Sequence, residues 1–378
     1  MTSQPFCLAP FNRVYVGKGK ESNITFNPCC VYKFKPEFTN INDYLKSEEL
    51  NNLKNHFINN KNFSDGCNFC KTQEDNNQQS LRQSYNSKLS KYETTDIIEL
   101  EYFPNNTCNL KCFSCYPESS SAVGAERYQL GWIKEYKEID NSDYFEDIIS
   151  NLPHLKKISI IGGEFFLAKQ NLKILDLCIA NGLSLSFFTN STIILPKHIE
   201  KLQNIKDLQI RISIDGTNDI YEFIRYPAKW EIVKENIENL KTKLPQSDFE
   251  MNTVVQPLNI QNIVQIVNFA NKIQILPRLS PIIKPHWLNW SILNKDECVK
   301  LNDYIDIQLL KYRLSKKQIN EIQSIKQILI NSQHNTNNRN EFIGKMSQTL
   351  SFRKITQENI LTVFNNLDNL ANEIIKKM

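Results

Sequence analysis

No apolar run in the 378 residues reaches the roughly 20 that a helix needs to cross a bilayer, so no membrane-spanning helix is expected. The first ten residues also lack the basic and apolar regions of a secretory signal, and a cytoplasmic protein is the expectation. Charge of one sign is missing too. With 45 basic against 41 acidic side chains the net charge is only +4, which makes no case for a nucleic-acid partner. Ten cysteines are what the chain does have. In a reducing compartment they point to metal ligands or buried thiols rather than disulfides.

Three of them stand at Cx3Cx2C spacing, Cys108, Cys112 and Cys115, just after the apolar run Ile97 to Phe103. Thiolates this close can hold three corners of an iron–sulfur cube. Such clusters usually have four cysteines, so one iron is left for a non-protein ligand, and chemistry can take place there. Zinc sites favour Cx2C pairs that come in twos, a pattern this triplet does not follow.

From Ile97 onward, strands and helices alternate. Strands are expected at Ile97–Phe103, Lys157–Ile161, Leu183–Thr189, Leu208–Ile214, Phe249–Val255 and Arg278–Ile283, with helices at Gln170–Ala180, Trp230–Lys243 and Ile260–Lys272 among those between them. Six βα repeats predict a parallel sheet with right-handed crossovers. They are too few for the closed eight-stranded barrel, so a partial (β/α)6 barrel of the α/β class is expected. Ligands in such sheets collect at the C-terminal strand ends, where this chain repeatedly places polar residues: Gly162-Gly163-Glu164, Thr189-Asn190-Ser191 and Ser213-Ile214-Asp215, then Arg225. Asp215 could equally cap the next helix.

These motifs together resemble the radical S-adenosylmethionine (SAM) superfamily, with Phe113 as the aromatic residue within the triplet. The resemblance implies a catalytic [4Fe–4S] cluster on Cys108, Cys112 and Cys115, whose open iron chelates the methionine part of SAM. Reductive cleavage then gives a 5′-deoxyadenosyl radical that takes a hydrogen atom from substrate. It also implies cofactor contacts from Phe113, from Gly162, Gly163 and Glu164 to the SAM amino group, from Thr189 and Asn190, from Ser213 and Asp215, and from Arg225 to a carboxylate. Ser191 stands where the family's TNG turn has glycine, which leaves the backbone of that turn open.

Before this domain lie Cys7, Cys29-Cys30 and Cys67-x2-Cys70. Two short strands, Arg13–Val16 and Asn23–Phe26, joined through Gly17-Lys18-Gly19, predict a hairpin that brings Cys7 and Cys29 to one end. A helix over Asn40–Asn60, with Ile41, Tyr44, Leu45, Leu50 and Leu53 on one face, would carry the chain back to Cys67 and Cys70. Four cysteines so delivered suit a second four-iron cluster or a tetrahedral zinc. The stretch is similar to the auxiliary-cluster region of SPASM and twitch radical SAM proteins, on the strength of Cys7 with Pro10-Phe11, Pro28-Cys29-Cys30, and Cys67 and Cys70 followed by Glu74, Ser80 and Arg82. Cys29 is the expected ligand alongside Cys7, Cys67 and Cys70, with Cys30 a buried thiol or spare.

The expected organisation is a cysteine-rich auxiliary region at 1–90, the partial barrel at 91–290 and a helical extension at 291–378. In the last part a heptad-like helix is interrupted by the polar Asn331–Asn340 stretch. The function expected is that of a radical SAM enzyme, an oxidoreductase or peptide-modifying maturase, fed by a reductase or flavodoxin-type electron donor. Its substrate would be a peptide or protein side chain, or alternatively a small metabolite such as a sugar or amino acid. A non-catalytic metal-binding or RNA-interacting protein is the reading from a different class.

Overall fold

The computed structural model describes residues 6–18, 24–34, 37–59, 62–75 and 79–378. The chain divides into two compact units, Met1–Asn106 with Ile139–Phe187 and Glu200–Leu208, and Thr107–Glu138 with Phe188–Ile199 and Gln209–Met378.

In the first unit, β1 (Arg13–Lys18) and β2 (Ile24–Asn27) form the expected hairpin, antiparallel with Tyr15 opposite Asn27. Its turn residue Gly19 lies outside the described residues, as do Asn23 and Asn60 at the ends of two expected elements. A two-residue β3 (Glu37–Phe38) flanks β2. On the other side β1 pairs in parallel with β4 (Glu99–Tyr102) through the register Arg13 to Glu99, so hairpin and alternating strands share one sheet. Charge pins that register: the buried Arg13 guanidinium donates to Glu99 Oε1 at 3.0 Å and to Glu101. Next come β5 (Lys157–Ile160) and β6 (Ser184–Thr189), each parallel to its predecessor.

The helix expected over Asn40–Asn60 is two helices, Ile41–Lys46 and Glu48–Asn59. Ser47 divides them. Its backbone is extended (φ −64°, ψ 149°), its hydroxyl donates to Tyr44 O at 2.7 Å and accepts from Leu50 N at 3.2 Å, and it thereby closes one helix while capping the next. Ile41, Tyr44, Leu50 and Leu53 are nonetheless buried, because the apolar face continues across the break.

The second unit holds three parallel strands, β7 (Leu208–Ser213), β8 (Asp248–Val255) and β9 (Leu276–Pro281), with Ser213 opposite Asn252 and Asn252 opposite Arg278. Helices Trp230–Lys243 and Ile263–Lys272 separate them in sequence, the second preceded by a 3-10 turn at Ile260–Asn262. The α/β alternation and the helical tail are therefore present as read from the sequence. The tail interruption is shorter than expected, since Asn335 accepts from Asn338 N and starts helix Thr336–Phe352 inside the polar stretch. One apolar core joins Val255, Ile263 and Val267 to Trp287, Leu301, Phe342, Leu350 and Phe364, and it also takes in Phe113 and Phe223. Cys178 and Cys298, the two isolated cysteines, are buried thiols.

Candidate functional site

The triplet lies on an irregular loop of the second unit, and side-chain and backbone bonds hold it at several points. Cys108 N donates to Ser121 Oγ at 3.2 Å, Ser120 Oγ donates to Leu110 O at 3.0 Å, and Cys115 N donates to Cys112 O at 3.2 Å. The middle of the loop is held by the chain around Arg225: Lys111 N donates to Tyr226 O at 2.7 Å and Phe113 N to Ile224 O at 3.2 Å. Arg127 Nη2 adds a bond to Cys115 O at 2.6 Å. The Phe113 ring itself is buried, 5.4 Å from the Phe223 centroid.

Nitrogen donors reach two of the three sulfurs. Asn190 Nδ2 lies 4.0 Å from Cys108 Sγ and 3.0 Å from Asn109 Oδ1, and Arg225 Nη1 lies 3.9 Å from Cys112 Sγ. Burial pushes the Cys112 thiol well up, a shift that Arg225 opposes, and burial with Cys108 beside it pushes Cys115 up to about 12. Thiols held this way shed their protons when a metal takes them as ligands.

Arg225 is no surface residue. Its Nη2 pairs with Asp215 Oδ2 at 2.8 Å, the Asp215 side chain fully buried and that of Arg225 11% exposed. Burial works against the Arg225 charge, but Asp215 and then Cys112 outweigh it and hold the guanidinium firmly protonated. Asp215 Oδ1 meanwhile accepts from Val254 N at 2.8 Å, so it ties the end of β7 to β8. It does not cap the following helix, whose N-cap position is Thr217.

Ser191 resolves the open turn. It takes the left-handed conformation, φ 55°, that glycine would adopt most easily, and it is held there by Ser191 N donating to Thr189 Oγ1 at 2.9 Å and Asn236 Nδ2 donating to Ser191 O at 2.8 Å. Asn190 Oδ1 accepts from Thr192 N and Oγ1 at 2.9 and 2.6 Å, which fixes the amide that faces Cys108.

In the first unit, β5 runs into Gly162-Gly163-Glu164. Both glycines have positive φ, 85° and 53°, and a Cβ on Gly162 would stand 2.2 Å from the Phe103 ring. Glu164 is buried, and its Oε1 accepts from Phe166 N at 3.2 Å.

The N-terminal cysteines are also brought together. Cys7, Cys29, Cys67 and Cys70 line a small cavity of about 20 Å³ with Val31, Tyr32, Gly66, Arg82 and Tyr85; Cys30 is not among its walls. Arg82 is fixed there by Glu74, which accepts from its Nε at 2.9 Å and its Nη2 at 2.6 Å, while Ser80 Oγ donates to the same carboxylate at 2.5 Å. Burial raises all four lining thiols, Cys29 to about 11 and Cys67 to about 12. Among the described residues no three His, Cys, Asp or Glu side chains are gathered closely enough to hold a single metal ion. Sequence reasoning gave no site role to Arg127, Ser120 or Arg353, which hold the triplet loop through its backbone carbonyls.

Residues 102–270 match the model of the radical SAM superfamily. Among curated proteins, an AdoMet-dependent heme synthase of Methanosarcina barkeri is 28% identical over 170 residues, 44% of this chain and 45% of the relative. A probable GTP 3′,8-cyclase of Methanococcus maripaludis is 23% identical over 216 residues, 54% of this chain and 68% of that protein. The match therefore spans less than half the length of the first of these relatives. Among solved structures, Streptococcus suis SuiB bound to precursor peptide SuiA aligns over 65% of this chain and 60% of its own, at 15% identity and a TM-score of 0.42. A structure described as native anSMEcpe with bound AdoMet aligns over 56% of this chain and 60% of its own, at 17% identity and a TM-score of 0.43.

Proposed function

From the premise that the chain carries a radical SAM domain at residues 102–270, we propose that it cleaves SAM reductively at a [4Fe–4S] cluster held by Cys108, Cys112 and Cys115. The observation that carries this reading is the triplet loop itself, three thiols on one braced loop with nitrogen donors aimed at two of the sulfurs. That donor set fits the group, for three thiolates leave one of four irons without a protein ligand, and N–H groups directed at sulfur stabilise its negative charge. Bound there with SAM, the cluster supplies an electron that breaks the carbon–sulfur bond to methionine and a 5′-deoxyadenosyl radical. The protein's part is to bind and orient. Arg225, kept charged by Asp215, presents a cation beside Cys112 where an anionic carboxylate can be held. Asn190 braces the Cys108 side, and Thr189 and Ser213 stand at the ends of their strands. By the family motif, Gly162, Gly163 and Glu164 take the SAM amino group, and Phe113 supports the loop from the apolar core.

Cys7, Cys29, Cys67 and Cys70 are proposed to hold an auxiliary [4Fe–4S] cluster. Four thiols around one small cavity suit a four-iron cluster or, as the alternative, a tetrahedral zinc, and the iron count below separates the two. Cys29 lines that cavity and Cys30 does not, which supports Cys29 as the ligand. An auxiliary site favours a peptide or protein side chain as substrate, with an external reductase or flavodoxin-type donor. A small metabolite is the second reading, favoured by the two relatives named for heme synthesis and GTP cyclisation.

Anaerobic reconstitution with iron and sulfide, followed by dithionite-driven assay for 5′-deoxyadenosine, tests both sites. About eight irons per chain are expected, falling to about four with loss of deoxyadenosine in the Cys108/Cys112/Cys115 triple alanine variant. Cys29→Ala should also fall to about four irons while Cys30→Ala keeps about eight. Deoxyadenosine formed by the triple variant would sink the assignment.

A further inference from the structure

We propose that Arg353, on the helical tail, is a positioning residue for the Cys108–Cys115 loop. This inference rests on the reading of that loop as the cluster-ligand loop. The Arg353 side chain is 2% exposed, and its fork is engaged on both sides of the loop's base. Nε and Nη2 donate to Glu126 Oε1 and Oε2 at 2.9 and 2.7 Å, and Nη2 also donates to Lys111 O at 2.5 Å. The guanidinium carbon lies 4.6 Å from the Phe113 ring centroid and 4.9 Å from that of Tyr226. A planar fork that stacks on aromatic faces while donating at its edge fits this slot, and a lysine ammonium does not.

The consequence for the cysteines is geometric. Lys111 O, Cys112 N and Cys112 Cα belong to one planar peptide unit, so a fixed carbonyl fixes the point from which the Cys112 side chain departs. The other side of Lys111 is fixed as well, by Lys111 N on Tyr226 O at 2.7 Å, and the next turn by Phe113 N on Ile224 O. Glu126 is itself buried, so it can hold the guanidinium without competition from water. Arg353 thus locks the one stretch of backbone that aims Cys112, and Arg127, bonded to Cys115 O, does the same for the last cysteine.

The test measures thiol geometry directly, in the full metal-free chain under anaerobic conditions, as maleimide alkylation rates cysteine by cysteine in R353M, R353K and wild type. Loss of a charge-assisted bond predicts about a tenfold faster reaction at Cys112 in both variants, with Cys178 and Cys298 unchanged. Rates at Cys112 within about twofold of wild type, or an equal rise at Cys178 and Cys298, would overturn the proposal. Should R353M fail to fold, R353K decides by the same criterion. After reconstitution, both variants should alter the EPR spectrum of the reduced triplet-bound cluster and leave N-terminal iron unchanged. A wild-type triplet that binds no iron would defeat the cluster reading while leaving the alkylation result standing.

Discussion

At the scale of single residues, Ser191 carries a cost that glycine would not. A non-glycine residue in the left-handed region is strained by about 1–2 kcal/mol, and the buried Ser191 Oγ has no hydrogen-bond partner. Ser191→Gly removes both penalties and adds about 0.5–1 kcal/mol of chain entropy to the unfolded state. A net gain of about 1 kcal/mol is therefore expected in urea unfolding, and Ser191→Val, branched at Cβ, should lose about 2 kcal/mol. A glycine variant less stable than wild type would show that the serine side chain contributes something the structure does not reveal.

Ion pairs decide how elements are registered. Arg13 joins β1 to β4 through Glu99, whose carboxyl burial pushes up but whose neighbour Arg13 outweighs burial and holds it below the usual range. A depressed carboxylate contributes stability that is complete above its unfolded value, about 4.3, and is lost as pH falls through its folded value. Wild-type urea midpoints should accordingly fall from about pH 5 downward. Arg13→Met leaves Glu99 and Glu101 buried without their cation, costing about 3–5 kcal/mol near neutrality, and part of that loss should return on acidification. Equal pH slopes in the two proteins would refute the linkage.

The same scale shows where sequence reading worked. Each of the six alternating strands lies within two residues of its expected bounds, because turn-forming residues punctuate the runs: Gly162, Asn190 and Asp215 stop three, and Pro104, Pro257 and Pro285 follow the others. The break at Ser47 was missed because the apolar face of Ile41, Tyr44, Leu50 and Leu53 runs through it, although Ser47 followed by Glu48-Glu49 is a helix-start signal. The cysteines, the Gly-Gly-Glu turn and Arg225 could be found because chemistry fixes their residue types. The Asp215–Arg225 pair and the Arg353 fork could not, since they depend on which distant segments meet.

Across the whole molecule, the helical tail is part of the same apolar core as the end of the strand series in its unit. Phe113 and Phe223 pack in one cluster with Phe342, Leu350, Val363 and Phe364, and Phe223 lies 5.8 Å from the Phe364 centroid. A chain ending at Asn335 would lose helices Thr336–Phe352, Gln357–Val363 and Asp368–Lys377 and uncover those rings. Such a truncation should bind a hydrophobic dye, become protease-sensitive within the second unit, and fail to retain iron at the triplet. A truncated chain that stayed compact would show that the tail is dispensable.

The bond between Arg353 and Lys111 spans 242 residues, and that separation has a meaning in time. At about 5–20 residues per second of synthesis, the cysteine loop leaves the ribosome roughly 10–50 seconds before the arginine that braces it. During that interval its thiols are unaimed and exposed to whatever metal or oxidant is at hand. On the proposed role of Arg353, the triplet is not braced for a cluster until Arg353 has been made, and its cysteines must stay reduced and empty over that interval.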